Sequence, residues 1–315
     1  MLKFITLFIP FLILSCTATT ESDSSSTVKY LDTPAKGNAS LPHLVKGAND
    51  QLYLSWVEEQ DSGWVQLNYS KMSEEGWNDP SMISKGNNWF VNWADYPMMA
   101  VDKNENMIAH FLAKSAEQTY SYNVNVVLKS ADSTQWSSPI IPHTDGTPTE
   151  HGFVSMAPRE NVGFSLAWLD GRNTGGGDHE THSGGAMTIR TASIDMSGNL
   201  TGEAELDNRV CDCCQTGMAM TDSGPMVVYR DRSVDEIRDM AFVELDGENW
   251  SEPTLVGIDN WNIAGCPVNG PRVASSGSTT AVAWFSGANN RPIVKVAFKG
   301  DQGFDEPITV DASNP

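Results

Sequence analysis

Three of the five cysteines lie within four positions, in the segment Arg209–Thr216, RVCDCCQT. If this segment is a strand, Cys211 and Cys213 point the same way, with about 6.5 Å between their Cα atoms. Their thiolates can then converge on one metal ion, and such ligands suit Cu(I) or Zn(II). Cys214 would point elsewhere unless the strand starts with a bulge, or unless it pairs with Cys213 in a redox-labile vicinal disulfide.

The cysteines allow two further interpretations besides a metal site. His151 or Cys266 could complete a metal-binding set, but an even number of mature cysteines in a secreted protein usually forms disulfides. Cys211 or Cys213 bridged to Cys266 would then be purely structural. A redox-active thiol pair is the third interpretation. Met218 and Met220 follow as extra soft donors, although their mid-strand positions favour core packing.

A second group of chemically capable residues lies in the stretch PHTDGTPTEHGF. It places His143, Asp145, Glu150 and His151 on one connection, enough for a metal site or for acid–base catalysis. Asp-Gly and Thr-Pro are also turn signals in their own right. A hydrogen-bonded turn therefore remains the alternative.

An internal repeat predicts the elements that position these residues. Five segments of alternating apolar residues end in an aromatic, at intervals of 55 to 61 residues: Trp56, Phe111, Trp168, Tyr229 and Trp284. A polar turn with an aromatic and usually a proline follows, as in SEEGWNDP and DGENWSEP. Alternation at period two between turn signals indicates strands. We therefore predict an all-β protein whose antiparallel four-stranded sheets close into a β-propeller.

Five visible repeats predict five blades, and six blades, with one unrecognisable, stay possible. In a propeller, the starts of the innermost strands and the loops between second and third strands meet at one mouth of the channel. Such a mouth is the default binding site of the fold. The innermost strands should bring there Asp95, Glu150, His151, Cys211, Asp212, Cys213, Cys214 and Cys266. The loops should add Asp170, Arg172, His179, His182, Arg230, Arg232, Glu236, Arg238 and Arg291.

The turn marker resembles the Asp-box of the sialidase superfamily, with loose copies at Ser73–Trp77 and Asp246–Trp250. The stretches NWADYP, WLDGR, VCDCCQT, YRDRSVDEIRD and GCPVNGP together resemble a group of bacterial lipoproteins often labelled sialidase-like. The resemblance extends over the chain after Thr27. It implies the propeller fold strongly and an activity only weakly.

Sialidases, as this resemblance implies, bind a sugar carboxylate with three arginines, use a tyrosine activated by a glutamate, and use an aspartate as acid/base. The candidates here are Arg172, Arg230, Arg232 and Arg238 for the clamp, Asp95 for the acid, Glu150 or Glu236 for the activator, and Tyr120 or Tyr122 for the nucleophile. The match is incomplete, because the stretch NASLPHL lacks the first-blade arginine of the family and a cysteine cluster is foreign to it. The arginine-rich runs would equally suit ion-paired loops.

The N-terminus predicts secretion and lipid anchoring. A positive start and an apolar run too short to span a bilayer form a signal peptide over residues 1–15. The segment Ile13–Cys16 resembles the lipobox of bacterial lipoproteins, which implies lipidation of Cys16 and a place in the bacterial cell envelope. An ordinary signal peptide is the alternative. Residues 16–27 read as a flexible tether, and residues 28–315 as one propeller domain.

The net charge of the protein limits the classes of molecule that it can bind. Lys and Arg number 20 against 40 Asp and Glu, a net charge of −20, so nucleic acid and anionic lipid surfaces are poor partners. We expect a monomer that reaches the membrane only through its lipid. Two hypotheses remain: a Cys/His site for copper or zinc in metal handling or redox, or a hydrolase or lectin for an acidic glycan with structural disulfides. The first uses the most unusual residues. Whether the protein is an enzyme stays open.

Overall fold

The computed structural model describes residue 28 and residues 30–160, 163–175, 185–301 and 303–310. One compact unit spans Thr33–Pro315, and Met1–Asp32 form another. The predicted signal peptide, Cys16 and the tether lie outside the described residues, as do His179 and His182. No helix in the described part of the chain is long and apolar enough to cross a membrane.

Strands dominate the described residues, which contain no α-helix and only two 3₁₀ turns, Ala48–Asp50 and Ala288–Asn290. In chain order the strands are β1 Asn38–Lys46, β2 Leu52–Glu59, β3 Val65–Ser73, β4 Gly76–Trp77, β5 Ser81–Gly86, β6 Met99–Val101, β7 Met107–Lys114, β8 Tyr122–Lys129, β9 His151–Arg159, β10 Gly163–Asp170, β11 Thr188–Ile194, β12 Leu200–Asp207, β13 Gly217–Met220, β14 Pro225–Arg230, β15 Met240–Asp246, β16 Asn249–Trp250, β17 Thr254–Gly257, β18 Arg272–Ser276, β19 Thr279–Ser286, β20 Ile293–Gly300, β21 Gly303–Phe304 and β22 Ile308–Thr309.

These strands form five antiparallel sheets, which confirms the predicted five-bladed propeller. The main ladders run β1-β2-β3-β5, β6-β7-β8, β9-β10-β11-β12, β13-β14-β15-β17 and β18-β19-β20-β22. In the second blade the fourth strand is reduced to a bridge between Val126 and Ile140. The two-residue strands β4, β16 and β21 form at the turn markers. The described residues hold no sixth sheet.

The innermost strands β1, β6, β9, β13 and β18 surround a central cavity of about 490 Å³. Each contacts the next along the chain, from β1 through β6, β9 and β13 to β18. Met218 and Met220 line this cavity together with Met99 and Met156. Met218 also packs against the hydrophobic cluster between the third and fourth blades. Both methionines are therefore half-buried channel residues, and Met218 is also part of the core.

The repeated aromatic residues hold neighbouring blades together. Apolar side chains of β7 and β10 share one buried cluster that includes Ile108 and Trp168. Trp56, Trp168 and Trp284 are almost fully buried, and a buried indole N–H needs an acceptor. In each case the acceptor is a carboxylate, at 2.6–2.8 Å: Glu58, Asp170 and Asp259.

Candidate functional site

The cysteine segment is a loop rather than the predicted strand. β13 begins at Gly217, which pairs with Val228. The N–H of Cys211 bonds to the carbonyl of Arg230 only two positions further along β14. Residues 212–216 therefore loop out of the ladder, because β14 has too few residues between Val228 and Arg230 to pair with them. This loop, at the start of the innermost strand of the fourth blade, carries the thiols to the channel mouth.

The loop brings three thiols together. The Cys211 and Cys214 sulfurs lie 3.3 Å apart, and the sulfurs of Cys211, Cys213 and Cys214 all lie within 4.8 Å of one another. Two sulfurs bound about 2.3 Å from one ion lie at most about 4.6 Å apart. The spacing is therefore close to that of ligands sharing one ion. Cys214, which a regular strand would have turned away, belongs to the group.

Cys266 reaches the same place from a different segment. It lies between β17 and β18, and its thiol interacts with that of Cys213. The four cysteines in the described part of the chain are free thiols. We define the four-thiol cluster as Cys211, Cys213, Cys214 and Cys266, and of these predicted ligands the structure brings the first three within 4.8 Å of one another. His151 is not in this group.

Two arginines and two carboxylates surround the four-thiol cluster. Arg238, which is fully buried, donates one hydrogen bond to Cys211 Sγ at 3.1 Å and another to Glu236 at 2.8 Å. Arg232 bridges Glu236 at 2.8 Å and Asp212 at 3.1 Å. These ion pairs join the two arginines of the β14–β15 connection to carboxylates, although the buried Nε of Arg238 has no hydrogen-bond partner among the described residues. They also place one guanidinium directly against a sulfur.

The thiols have unequal tendencies to ionise. Burial opposes the charged form of Cys211, but hydrogen bonds from the Cys213 and Cys214 thiols and the charge of Arg238 lower its pKa well below the usual value. Hydrogen bonding to Cys211 raises the pKa of Cys213, and burial raises that of Cys214. The hydrogen bond from Cys213 lowers the pKa of Cys266. Cys211 is thus the thiolate that this environment favours most.

Arg230 is bound to carbonyl oxygens instead of being open to a ligand. Its guanidinium donates to the backbone oxygens of Asn269 at 2.7 Å, Arg238 at 2.7 Å and Phe285 at 2.9 Å. It also lies 4.8 Å from the centre of the Trp261 ring. The buried arginines named for a carboxylate clamp therefore bind groups of the protein itself. Arg291, in contrast, is exposed in the β19–β20 connection.

A second site at the mouth joins Asp95, Tyr122 and Glu150. The Tyr122 hydroxyl, 0% exposed, is hydrogen-bonded to Glu150 Oε1 and lies 3.2 Å from Asp95 Oδ2. Asp95 Oδ1 accepts a hydrogen bond from the N–H of Phe153 at 2.7 Å. A Cβ at Gly152 would come within 2.0 Å of Asp95 Oδ2, so only glycine fits there.

Burial sets the chemistry of this acidic site. Desolvation, aided by the charge of Glu150, raises the pKa of Asp95 to about 8. Burial also raises the pKa of Tyr122 well above its usual value. The Phe90 ring stacks on the Tyr122 ring, with 4.2 Å between their centres. Tyr120, the other tyrosine candidate, lies outside this group, 46% exposed, against Phe90.

His143 and His151 form a third group with Asp145. The two rings stack with 3.8 Å between centres, and Asp145 Oδ1 lies 3.1 Å from His143 Nδ1 and 3.2 Å from His151 Nε2. Arg172 approaches Asp145 to 3.5 Å and Asp170 to 2.8 Å. Burial lowers the pKa of His143 to about 4. The two histidines and Asp145 could hold a metal ion, and the guanidinium of Arg172 supplies a positive charge beside them.

Sequence reasoning missed two residues that shape the cysteine region. Asp239 accepts hydrogen bonds from three successive backbone N–H groups, those of residues 259, 260 and 261, at 3.0–3.1 Å. Gln215 donates to the carbonyl oxygen of Val154 at 3.2 Å, which ties the cysteine loop to the third blade. Asp239 ends a charge-rich run in the sequence, where nothing singles out one carboxylate as a loop anchor.

The sequence matches no model of a known protein family and no curated protein. Among solved structures, an unknown-function protein from Dyadobacter fermentans is similar with a TM-score of 0.55 at 11% identity, over 88% of this chain and 84% of that one. An α-L-arabinofuranosidase from Lactobacillus brevis gives 0.49 at 12% identity, over 86% and 95%. The NanB sialidase from Streptococcus pneumoniae gives 0.49 at 9%, over 87% and 61%. At these identities the likeness concerns the fold alone.

Proposed function

We propose that this protein binds a thiophilic metal ion, copper(I) or zinc(II), in metal handling or redox chemistry, through the four-thiol cluster. The observation that carries the proposal is the convergence of four free thiols from two segments, three of them with sulfurs within 4.8 Å of one another. Thiolates are the ligands that select such ions. Cys211 and Cys266 lie 55 positions apart in the sequence. They come near each other only because the chain folds into neighbouring blades.

The surroundings of Cys211 support the proposal. The thiolate is the form that binds a metal ion, and the Arg238 guanidinium 3.1 Å from the sulfur stabilises that form. Outer hydrogen bonds of this kind orient metal ligands and tune their basicity. A buried arginine also offsets the negative charge that several thiolates bring to one ion.

The test is metal content of purified protein under reducing, oxygen-free conditions, combined with a free-thiol count. We expect about one equivalent of copper(I) or zinc(II) per chain, and its loss in the double variant Cys211→Ser, Cys213→Ser. Arg172→Lys, which alters a mouth arginine away from the thiols, is the control and should retain the metal. Protein that holds no metal under reducing or oxidising purification, with all four cysteines in disulfides, would contradict the proposal.

A second candidate function is cleavage of a glycoside, favoured by the contact of Tyr122 with both Glu150 and Asp95. A tyrosine beside a glutamate with an aspartate nearby is the arrangement that the sialidase resemblance implies. Burial counts against it, because Tyr122 has no exposed surface with which to meet a sugar.

A fluorogenic sialoside tests this second candidate. Hydrolysis by the wild type that Tyr122→Phe abolishes would support it, and absence of hydrolysis by the wild type would remove it. Cys211→Ser with Cys213→Ser is the control, because it leaves the acidic site unchanged. A glycosidase should keep its activity in that double variant, whereas metal binding should be lost.

A further inference from the structure

We propose that Cys266 is the exchange ligand of the four-thiol cluster, through which a metal ion passes to and from a partner presenting a thiolate. The inference rests on the proposed function and adds to it a route and the chemistry of the partner. It makes the ion a cargo that is passed on, rather than a permanent structural element.

The exposure of the four thiols to solvent increases from Cys211 and Cys214 through Cys213 to Cys266. Cys211 and Cys214 are 1% and 2% exposed, Cys213 is half-buried, and Cys266 is exposed. The exposed thiol interacts with the half-buried one, and the two buried sulfurs lie 3.3 Å apart. A thiolate arriving from solvent therefore meets Cys266 first.

The segment that carries Cys266 is anchored on both sides. Before it, the Asp239 carboxylate holds the backbone N–H groups of residues 259–261, at 3.0–3.1 Å. After it, the buried Arg230 binds the carbonyl of Asn269 at 2.7 Å, and Gly270 packs so tightly on Gln215 that a Cβ would lie 1.9 Å from its carbonyl oxygen. These contacts before and after Cys266 thus hold its exposed thiol near Cys213. No residue has to cover the thiol to keep it there.

The ion-paired side chains of the β14–β15 connection block direct attack by an incoming thiolate on the two buried thiols, Cys211 and Cys214. Arg238 is fully buried and donates to Cys211 Sγ, while Glu236 holds both Arg238 and Arg232. Displacing these groups would leave buried charges without partners, which is costly. The path through Cys266 needs no such displacement.

The exchange step conserves charge and electrons. The incoming thiol loses its proton and its sulfur forms a bond to the ion. The bond between the ion and Cys266 Sγ breaks, and the released thiolate takes up a proton. The same exchange is then repeated at the remaining sulfurs of the cluster, each bond to an incoming thiolate replacing one bond to a cysteine, until the ion is held by the partner alone. The oxidation state of the metal does not change, so no oxidant or reductant is required. The reverse sequence loads the cluster from a thiolate donor.

The experiment uses the full chain loaded with one equivalent of copper(I) without oxygen, and glutathione as the acceptor. Affinity is measured at equilibrium against a chromophoric copper(I) chelator, and the transfer rate to glutathione in a stopped-flow instrument. Cys266→Ser should leave the metal bound by three thiolates but slow its transfer by about tenfold or more, because exchange rates depend on access to the sulfur. Cys214→Ser, the buried counterpart, should weaken affinity and not slow transfer.

A second readout does not depend on metal transfer. In metal-free protein, brief treatment with iodoacetamide should alkylate Cys266 before the other three thiols, as read by peptide mass spectrometry, since alkylation needs an accessible thiolate. Cys266→Ala, checked by circular dichroism, guards against an effect of the serine hydroxyl. Unslowed transfer in metal-loaded Cys266→Ser, or first alkylation at any of the other three thiols, would overturn the exchange role and leave metal binding standing. A wild type that retains no metal would overturn both.

Discussion

Asp95 is a carboxylic acid that the folded protein holds in its neutral form over much of the pH range. It is 1% exposed, and burial is the largest cause of its pKa of about 8. A carboxyl whose folded pKa is raised contributes stability that is complete below its unfolded value, near about 4, and that is lost as the pH rises towards the folded value. Between these limits the loss is at most about 1.4 kcal/mol per pH unit.

Asp95→Asn should remove this pH dependence, because an amide keeps an oxygen for the N–H of Phe153 and carries no charge. We expect the unfolding free energy of the variant, relative to the wild type, to rise as the pH increases from 5 to 8. Urea denaturation at several pH values measures it. His143, whose pKa of about 4 lies below its unfolded value, makes both proteins less stable as the pH falls below about 6.5, so the difference between the two proteins isolates Asp95. A difference constant with pH would contradict the raised pKa.

At the scale of elements, Arg230 ties the fourth blade to the fifth. Its donors meet three backbone carbonyls, on the Cys266 segment, on β19 and just before β15. Lysine has a compact ammonium that cannot reach three acceptors in one plane. Arg230→Lys should therefore lower the free energy of unfolding by about 2–4 kcal/mol.

Arg291 supplies the matched control for this substitution. It is exposed in the connection between β19 and β20, and exposed substitutions usually change stability by less than about 0.5 kcal/mol. Arg291→Lys should leave the urea midpoint unchanged. If both variants lose equal stability, the effect does not come from the buried carbonyl contacts.

The sequence predicts the number of blades correctly, but it does not predict the local structure of the cysteine segment. Period-two alternation and repeated aromatics predicted five blades, since those patterns express burial on two sheet faces. The same alternation wrongly suggested a strand through Cys211–Cys213. Strand propensity is local, whereas the loop over residues 212–216 follows from the register of β14 and from Gln215 contacting another blade.

Prediction of the candidate site was limited in the same way. Position within the repeat predicted that Cys266 would approach the cysteine segment, because both precede innermost strands. It did not predict that Arg238 would face the sulfur of Cys211, and it left open whether His151 would join the thiols or Asp145. Such pairings depend on side-chain directions across different loops, which no periodicity encodes.

For the whole molecule, the lipobox resemblance predicts that Cys16 anchors the domain to a membrane of the cell envelope. A net charge of −20 repels an anionic bilayer surface, so acyl chains would be the main source of membrane affinity. Each buried CH₂ group contributes about 0.8 kcal/mol, and stable anchoring takes more than one chain.

Cys16→Ser should therefore move the protein from the membrane fraction into the soluble fraction, without altering the propeller or its metal content. Fractionation with detergent partitioning, together with metabolic labelling by a fatty acid, measures the change. Salt washing of wild-type membranes is the control, since it would release a protein held by charge but not one held by acyl chains. A wild type that is already soluble and unlabelled would show that Cys16 ends an ordinary signal peptide, in which case the four-thiol cluster would act on metal in solution instead of at a membrane surface.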